Sequence, residues 1–140
     1  GIMPGACTVQ YIDHIGIAVN DIEVSIGFFR DAFGIQSSTI TVMEEHGVKA
    51  ALLWVGQTRL ELLEPLSLET TVGRFLQRRG EGLHHLALNV SNIGQDLEVV
   101  KARGLRVIDR TPREGLTGMV AFIHPESTGG ILMELVQSIE

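Results

Sequence analysis

The stretch that decides the fold is Gly82-Leu-His-His-Leu-Ala-Leu-Asn-Val-Ser-Asn-Ile93, because an earlier part of the chain repeats its pattern. Tyr11-Ile-Asp-His-Ile-Gly-Ile-Ala-Val-Asn-Asp-Ile22 aligns with it without a gap, so that His85 falls on His14. The match indicates an internal duplication. If both copies are β-strands, alternation places a histidine and small residues on one face and larger apolar side chains on the other. Two such histidine faces, one in each half, could converge on one site.

Composition limits the class of protein. The chain has 140 residues, a net charge of −6 and one cysteine, Cys7. This length can bury roughly 68–70% of the unfolded surface, so we expect a single domain over residues 1–140. The negative charge and the scattered basic residues argue against a nucleic-acid partner. No apolar stretch approaches the roughly 20 residues that span a bilayer, and no charged-then-apolar leader is evident, so we expect a cytoplasmic protein without a membrane partner.

The order of predicted elements is the same in both halves. A strand is followed by a helix that Asn20 or Asp21 can cap and that ends at Gly34, and three strands come next. The sequence therefore predicts an α+β fold of two β-α-β-β-β modules, at about residues 11–64 and 82–137. A helix over residues 71–79 connects them. The other predicted elements are strands at residues 38–43, 48–55 and 59–63, a second-half helix at 93–103, strands at 105–109, 119–124 and 131–137, and a mobile loop at 111–118.

Each half also carries one glutamate between apolar residues of its last strand. Glu61 follows His14 by 47 positions, and Glu134 follows His85 by 49 positions. A buried lone carboxylate is costly unless it is neutralised, paired with a cation or bound to a metal. Two imidazoles and two carboxylates suit one divalent ion of Co, Mn, Ni, Zn or Fe. The sequence therefore predicts a metal site of His14, Glu61, His85 and Glu134.

At these residues the chain resembles the vicinal oxygen chelate superfamily, the glyoxalase/bleomycin resistance/dioxygenase group. Within it, the chain is most similar to the methylmalonyl-CoA epimerase family. The resemblance spans residues 11–137 and implies two paired modules that form a cupped, open-barrel mixed sheet, the glyoxalase-like fold. It rests on Asp13-His-Ile-Gly-Ile-Ala-Val19, Glu45-His-Gly-Val48, Leu60-Glu-Leu-Leu-Glu-Pro65, Gly80-Glu-Gly-Leu-His-His-Leu-Ala87 and Phe122-Ile-His-Pro125 with Gly129-Gly130.

The resemblance implies a metal-dependent epimerase. Such an enzyme interconverts (R)- and (S)-methylmalonyl-CoA by removing and returning the α-proton through an enolate that the metal stabilises. The family's active-site base falls on Glu45, whereas composition alone makes Glu44-Glu45 a solvated hairpin tip. For the opposite face, the candidates are Glu134, if it leaves the metal during turnover, and a water. The implied partners are an acyl-CoA thioester and, from family habit, a second copy in a homodimer.

Three other functions use the same fold. A glyoxalase I type lactoylglutathione lyase would use the same four ligands on a glutathione hemithioacetal. An extradiol dioxygenase needs two histidines and one glutamate, so the additional Glu61 counts against it. A metal-free ligand-binding protein has no need of all four ligands, and metal measurements on the purified protein would separate it from the enzymes.

Overall fold

A computed structural model describes residues 5–139, so residues 1–4 and 140 of the predicted domain lie outside the described part. Within it no helix is long and apolar enough to cross a membrane. The described residues form eight strands, three α-helices and two one-turn 3-10 helices. In chain order these are β1 (Val9–Ala18), α1 (Ile22–Phe33), β2 (Thr41–Met43), a 3-10 turn (Glu44–His46), β3 (Val48–Val55), β4 (Thr58–Pro65), α2 (Thr71–Arg79), β5 (Gly82–Val90), α3 (Ile93–Ala102), β6 (Arg113–Glu114), β7 (Gly118–Ile123), a 3-10 turn (Pro125–Ser127) and β8 (Met133–Ser138).

The chain divides into two compact units, which we call the first unit (residues 14–84) and the second unit (described residues 5–13 and 85–139). The strand order is β2-β3-β4-β1 in the first unit and β5-β8-β7-β6 in the second. In both, the opening strand of the module runs parallel to the last strand, and the other neighbours are antiparallel. The prediction of two β-α-β-β-β modules in an α+β fold is confirmed.

Matching side chains begin the two long helices. Asp21 Oδ1 accepts hydrogen bonds from the second and third backbone N–H groups of α1, at 3.1 and 3.2 Å. Asn92 Oδ1 accepts one from Gln95 N–H at 3.1 Å in α3. Such caps satisfy backbone donors that lack a partner inside the helix. Of the two caps that the sequence allowed for α1, the structure selects Asp21, and Gly34 ends the helix with φ of 68° as predicted.

The last strand of each unit also contributes to the helix start. Glu64 Oε1 accepts a hydrogen bond from Ile22 N–H at 2.9 Å, and Gln137 Oε1 accepts one from Ile93 N–H at the same distance. Each side chain lies three positions after a candidate metal ligand. The helices are therefore attached to the strands that carry Glu61 and Glu134, because the duplication kept this contact.

Each unit has its own apolar core between its helix and one face of its sheet. Period-2 alternation then leaves the candidate ligands on the other face. The first core consists of Val19, Ile22, Ala51, Leu53 and Leu62, and the second of Val90, Ile93, Leu97, Val100, Ala121, Ile123 and Leu135.

The strand predicted at residues 105–109 is wrong. That segment makes a single bridge, Val107 to Ile123, and Val107 packs on the second core instead of extending the sheet. The edge strand is β6, which lies inside the predicted mobile loop and forms a tight hairpin with β7, closed by the bond from Gly115 N–H to Gly118 O at 2.8 Å. The first unit shows the same arrangement, with a bridge from Ser37 to Leu53 before β2. The apolar run misled the prediction because Leu105 and Val107 pack against the second core although the segment is not a strand.

Replacing Asp21 with alanine removes both cap bonds of α1, so we expect the free energy of unfolding to fall by about 1 kcal/mol. Urea unfolding measures this change. Asp31→Ala is the matched control, because Asp31 lies in the last turn of the same helix and pairs only with exposed Arg30; its effect should stay below about 0.5 kcal/mol. Equal losses in the two variants would contradict the role of Asp21.

Candidate metal centre

A histidine and a glutamate come together in the first unit because β1 and β4 are parallel. In their register Gly16 lies opposite Glu61, and His14 precedes Gly16 by two positions on the same face. His14 Nε2 lies 3.6 Å from Glu61 Oε1. Both side chains are buried, with 3% of His14 and 9% of Glu61 exposed.

The second unit repeats this pair through β5 and β8. Ala87 lies opposite Glu134, and His85 precedes Ala87 by two positions. His85 Nε2 lies 3.5 Å from Glu134 Oε1, and 6% and 5% of the two residues are exposed. The predicted correspondence of one histidine and one glutamate in each half is therefore present in the structure, with the same register and nearly the same separation.

Each pair has the chemistry of a partial metal site. An imidazole nitrogen and a carboxylate oxygen are ordinary ligands of divalent first-row metals. Two donors that each bind an ion at roughly 2.0–2.2 Å lie at most about 4.4 Å apart, and both pairs satisfy this limit. Their burial would keep competing water away from an ion. The donors present therefore fit a divalent metal, and the assignment of all four to one ion stays a prediction.

Glu45 lies in the 3-10 turn between β2 and β3, where its side chain is exposed. Gly47 ends this turn with φ of 70°, and its N–H donates to Glu44 O at 3.0 Å. A Cβ at Gly47 would also lie 2.7 Å from Thr70 Cγ2. The glycine in the motif Glu45-His-Gly-Val48 therefore has a structural reason: it allows the left-handed backbone and the close approach to Thr70 that end the turn carrying Glu45. The position is the hairpin tip that the sequence predicted.

His84 and Cys7 differ from the candidate ligands. Alternation turns His84 away from the face of His85, and its ring packs edge-on against Phe75 at 5.0 Å. Burial lowers the pKa of His84 to about 4, so the imidazole is neutral at neutral pH. Burial, and then the nearby Asp96 carboxylate, raise the pKa of the Cys7 thiol, which makes it a poor nucleophile.

Two buried carboxylates escaped the sequence-based prediction. Asp13 accepts a hydrogen bond from Asn89 Nδ2 at 3.1 Å, and the same amide donates to Ser138 Oγ at 2.9 Å. Asp96 Oδ2 accepts from both the backbone N–H and the hydroxyl of Thr8, at 2.8 and 2.7 Å. The sequence did contain an indication that Asp96 is buried, because this residue falls on the helical spacing of the apolar residues of α3. These contacts fasten the start of β1 within the second unit.

Comparisons with known proteins agree with this fold and identify related proteins. The sequence profile of the Glyoxalase/Bleomycin resistance protein/Dioxygenase superfamily matches residues 13–122. The mitochondrial methylmalonyl-CoA epimerase of Mus musculus is 35% identical over 129 residues, which cover 91% of this chain and 72% of that protein.

Solved structures of methylmalonyl-CoA epimerases also match this chain. The methylmalonyl-CoA epimerase of Mycobacterium tuberculosis matches with a TM-score of 0.93 and 31% identity, over 100% of this chain and 94% of that chain. A variant of the Streptomyces coelicolor methylmalonyl-CoA epimerase, in complex with 2-nitronate-propionyl-CoA, matches with a TM-score of 0.89 and 36% identity, over 93% of this chain and 95% of that chain.

The chain belongs to the glyoxalase/bleomycin resistance protein/dioxygenase superfamily. The predicted glyoxalase-like fold is confirmed by the structural match. Within the superfamily, the chain belongs to the methylmalonyl-CoA epimerase family.

Gly47→Ala should destabilise the protein by about 1–3 kcal/mol, because alanine strains a left-handed backbone and its Cβ would press on Thr70. Gly56→Ala is the matched control: Gly56 has φ of 64° in the next hairpin, but nothing lies within 4 Å of its added Cβ. Urea unfolding should give a larger loss for Gly47→Ala than for Gly56→Ala. The reverse order would mean that Thr70 does not limit the side chain at position 47.

Proposed function

We propose that this protein interconverts (R)- and (S)-methylmalonyl-CoA by removing the proton α to the thioester carbonyl and returning it on the opposite face. The observation that carries the proposal is the buried His–Glu pair that occurs once in each unit of an epimerase-family chain. The relatives supply the substrate class, since one solved relative is bound to an acyl-CoA.

The four side chains His14, Glu61, His85 and Glu134 are the proposed ligands of one divalent ion of Co, Mn, Ni, Zn or Fe. A divalent ion bound by them would supply a Lewis acid for the negative charge that develops on the thioester oxygen. The protein provides two imidazoles and two carboxylates, a donor set that leaves coordination positions open on a five- or six-coordinate ion.

Glu45 is the proposed general base for one face of the substrate. Its carboxylate stands on a turn of defined backbone conformation and is exposed, so an acyl-CoA can approach it from solvent. The turn belongs to the same unit as the pair His14–Glu61. A general base of this kind contributes roughly 10²–10⁴-fold to proton transfer.

Inversion needs an acid or base on the opposite face as well. Glu134 is the proposed candidate among the protein's side chains if it leaves the metal during turnover, and a water is the alternative. A homodimer and a cytoplasmic location belong to the same proposal, with family habit and sequence composition as their support.

The metal proposal makes a direct prediction. Purified protein loaded with Co²⁺ and dialysed should retain one equivalent, and His14→Ala or His85→Ala should each weaken Co²⁺ binding by at least about tenfold because each removes a ligand. His124→Gln is the control histidine, since its Nδ1 accepts a hydrogen bond from Glu126 N–H in a surface turn. Elemental analysis measures the amount of bound metal, and equilibrium dialysis measures the Co²⁺ affinity. Retention of metal in all variants would contradict this ligand set.

The epimerase proposal predicts that solvent deuterium enters methylmalonyl-CoA at the α-carbon. Glu45→Gln should lower exchange into one epimer, and the overall epimerisation rate, by at least about two orders of magnitude. Glu44→Gln removes the neighbouring exposed carboxylate of the same turn and should leave both rates unchanged. Mass spectrometry of the separated epimers measures the exchange.

The two possible failures of this experiment have different meanings. Equal rates in Glu45→Gln and the wild type would remove Glu45 as the base. No exchange by metal-loaded wild type would remove the epimerase assignment, and turnover of the hemithioacetal of methylglyoxal and glutathione would then establish the lyase alternative.

A further inference from the structure

Phe122 lies directly beside the second His–Glu pair. It is the Cα partner of Glu134 across β7 and β8, and alternation places its side chain on the same face as Glu134. Its ring meets the ring of His85 edge-on, with 5.4 Å between centroids and 87° between planes. Phe122 therefore touches one proposed ligand and neighbours another.

The backbone of Phe122 is held from outside the sheet. Its N–H donates to Asp109 Oδ2 at 2.8 Å, and its carbonyl accepts from Ile108 N–H at 2.9 Å. Asp109 also pairs with Arg113 Nε at 3.1 Å. The partly buried Asp109 thus links the segment before β6 to the residue whose ring contacts His85.

The first unit has the same backbone arrangement with a different side chain. Leu52 is the Cα partner of Glu61, its N–H donates to Ser38 Oγ at 2.9 Å, and its carbonyl accepts from Ser38 N–H at 2.8 Å. The duplication therefore kept the register and the backbone bonds but placed leucine in one half and phenylalanine in the other. The first unit therefore adopts this arrangement without an aromatic ring at the equivalent position.

We propose that Phe122 is a positioning residue for His85, a role that rests on the proposed metal site. The χ2 torsion of histidine has broad minima, so its own rotamer does not fix the direction of Nε2. An edge-to-face aromatic neighbour restricts that torsion through a geometry that aromatic rings favour. The ring of Phe122 holds the imidazole with Nε2 towards Glu134.

The test is Co²⁺ binding to the 140-residue chain. Phe122→Leu copies the residue of the first unit and should raise the Co²⁺ dissociation constant by about tenfold, at the lower end of the range for residues that orient metal ligands. The visible absorption bands of bound Co²⁺ should shift in the same variant, because the direction of one nitrogen ligand changes. Phe122→Tyr keeps an aromatic ring, so its Co²⁺ affinity and its absorption spectrum should match those of the wild type.

Phe75→Leu is the matched control, because it removes an equivalent edge-on contact from His84, which is not a proposed ligand. Its Co²⁺ affinity should equal that of the wild type. Thermal unfolding of the metal-free proteins distinguishes the positioning role from a purely structural one. A purely structural role would lower the stability of Phe122→Leu and leave its Co²⁺ affinity and absorption spectrum unchanged. If Phe122→Leu does not fold, Phe122→Met replaces the ring at similar volume, with the same expected result.

Unchanged affinity and spectrum in the Leu or Met variant would overturn the positioning role and leave the proposed function intact. Absence of Co²⁺ binding by the wild type would overturn the proposed metal site, and this inference with it.

Discussion

Burial of a carboxylate beside an imidazole is the constraint on which the rest of this structure depends. Glu61 and Glu134 lie in sheet interiors, where an isolated charge would be severely penalised. In both units the parallel pairing of the first and last strands brings a histidine to within 3.6 Å of the carboxylate. The β-α-β-β-β order makes this possible. In the first unit, for example, the helix leads to edge strand β2, and the antiparallel strands β2, β3 and β4 then bring β4 back beside β1 in the parallel direction.

The duplication explains both the similarity of the two units and their divergence. Backbone register, helix caps and the His–Glu pair recur, since a change in any of them would disturb a core or leave a buried polar group unsatisfied. The tips of the hairpins differ between the two units. The turn of the first unit carries Glu44 and Glu45, whereas the corresponding hairpin of the second unit carries Gly115, Leu116 and Thr117. The two halves therefore offer similar ligand pairs but different groups at their edges.

Buried polar contacts other than the two His–Glu pairs also organise the chain. β1 belongs to both units, with its first half in the second unit and its second half in the first. Asn89 binds Asp13, the residue immediately before His14, and Asp96 binds Thr8. A buried polar group that is hydrogen-bonded favours one arrangement of its neighbours, because losing those bonds leaves it without compensation. These bonds define the path of the strand up to His14.

The sequence by itself determined the duplicated modules, the end of α1 at Gly34, and the correspondence of His14 with His85 and of Glu61 with Glu134. Those features depend on local periodicity, capping and spacing, which are readable along one chain. Only the tertiary structure decided that β6 lies at Arg113–Glu114, that Asp13 and Asp96 are buried and bonded, and that Phe122 meets the ring of His85. Each of these features depends on which segment, distant in the sequence, packs beside the residue. Burial and contacts between strands therefore become defined only in the folded chain.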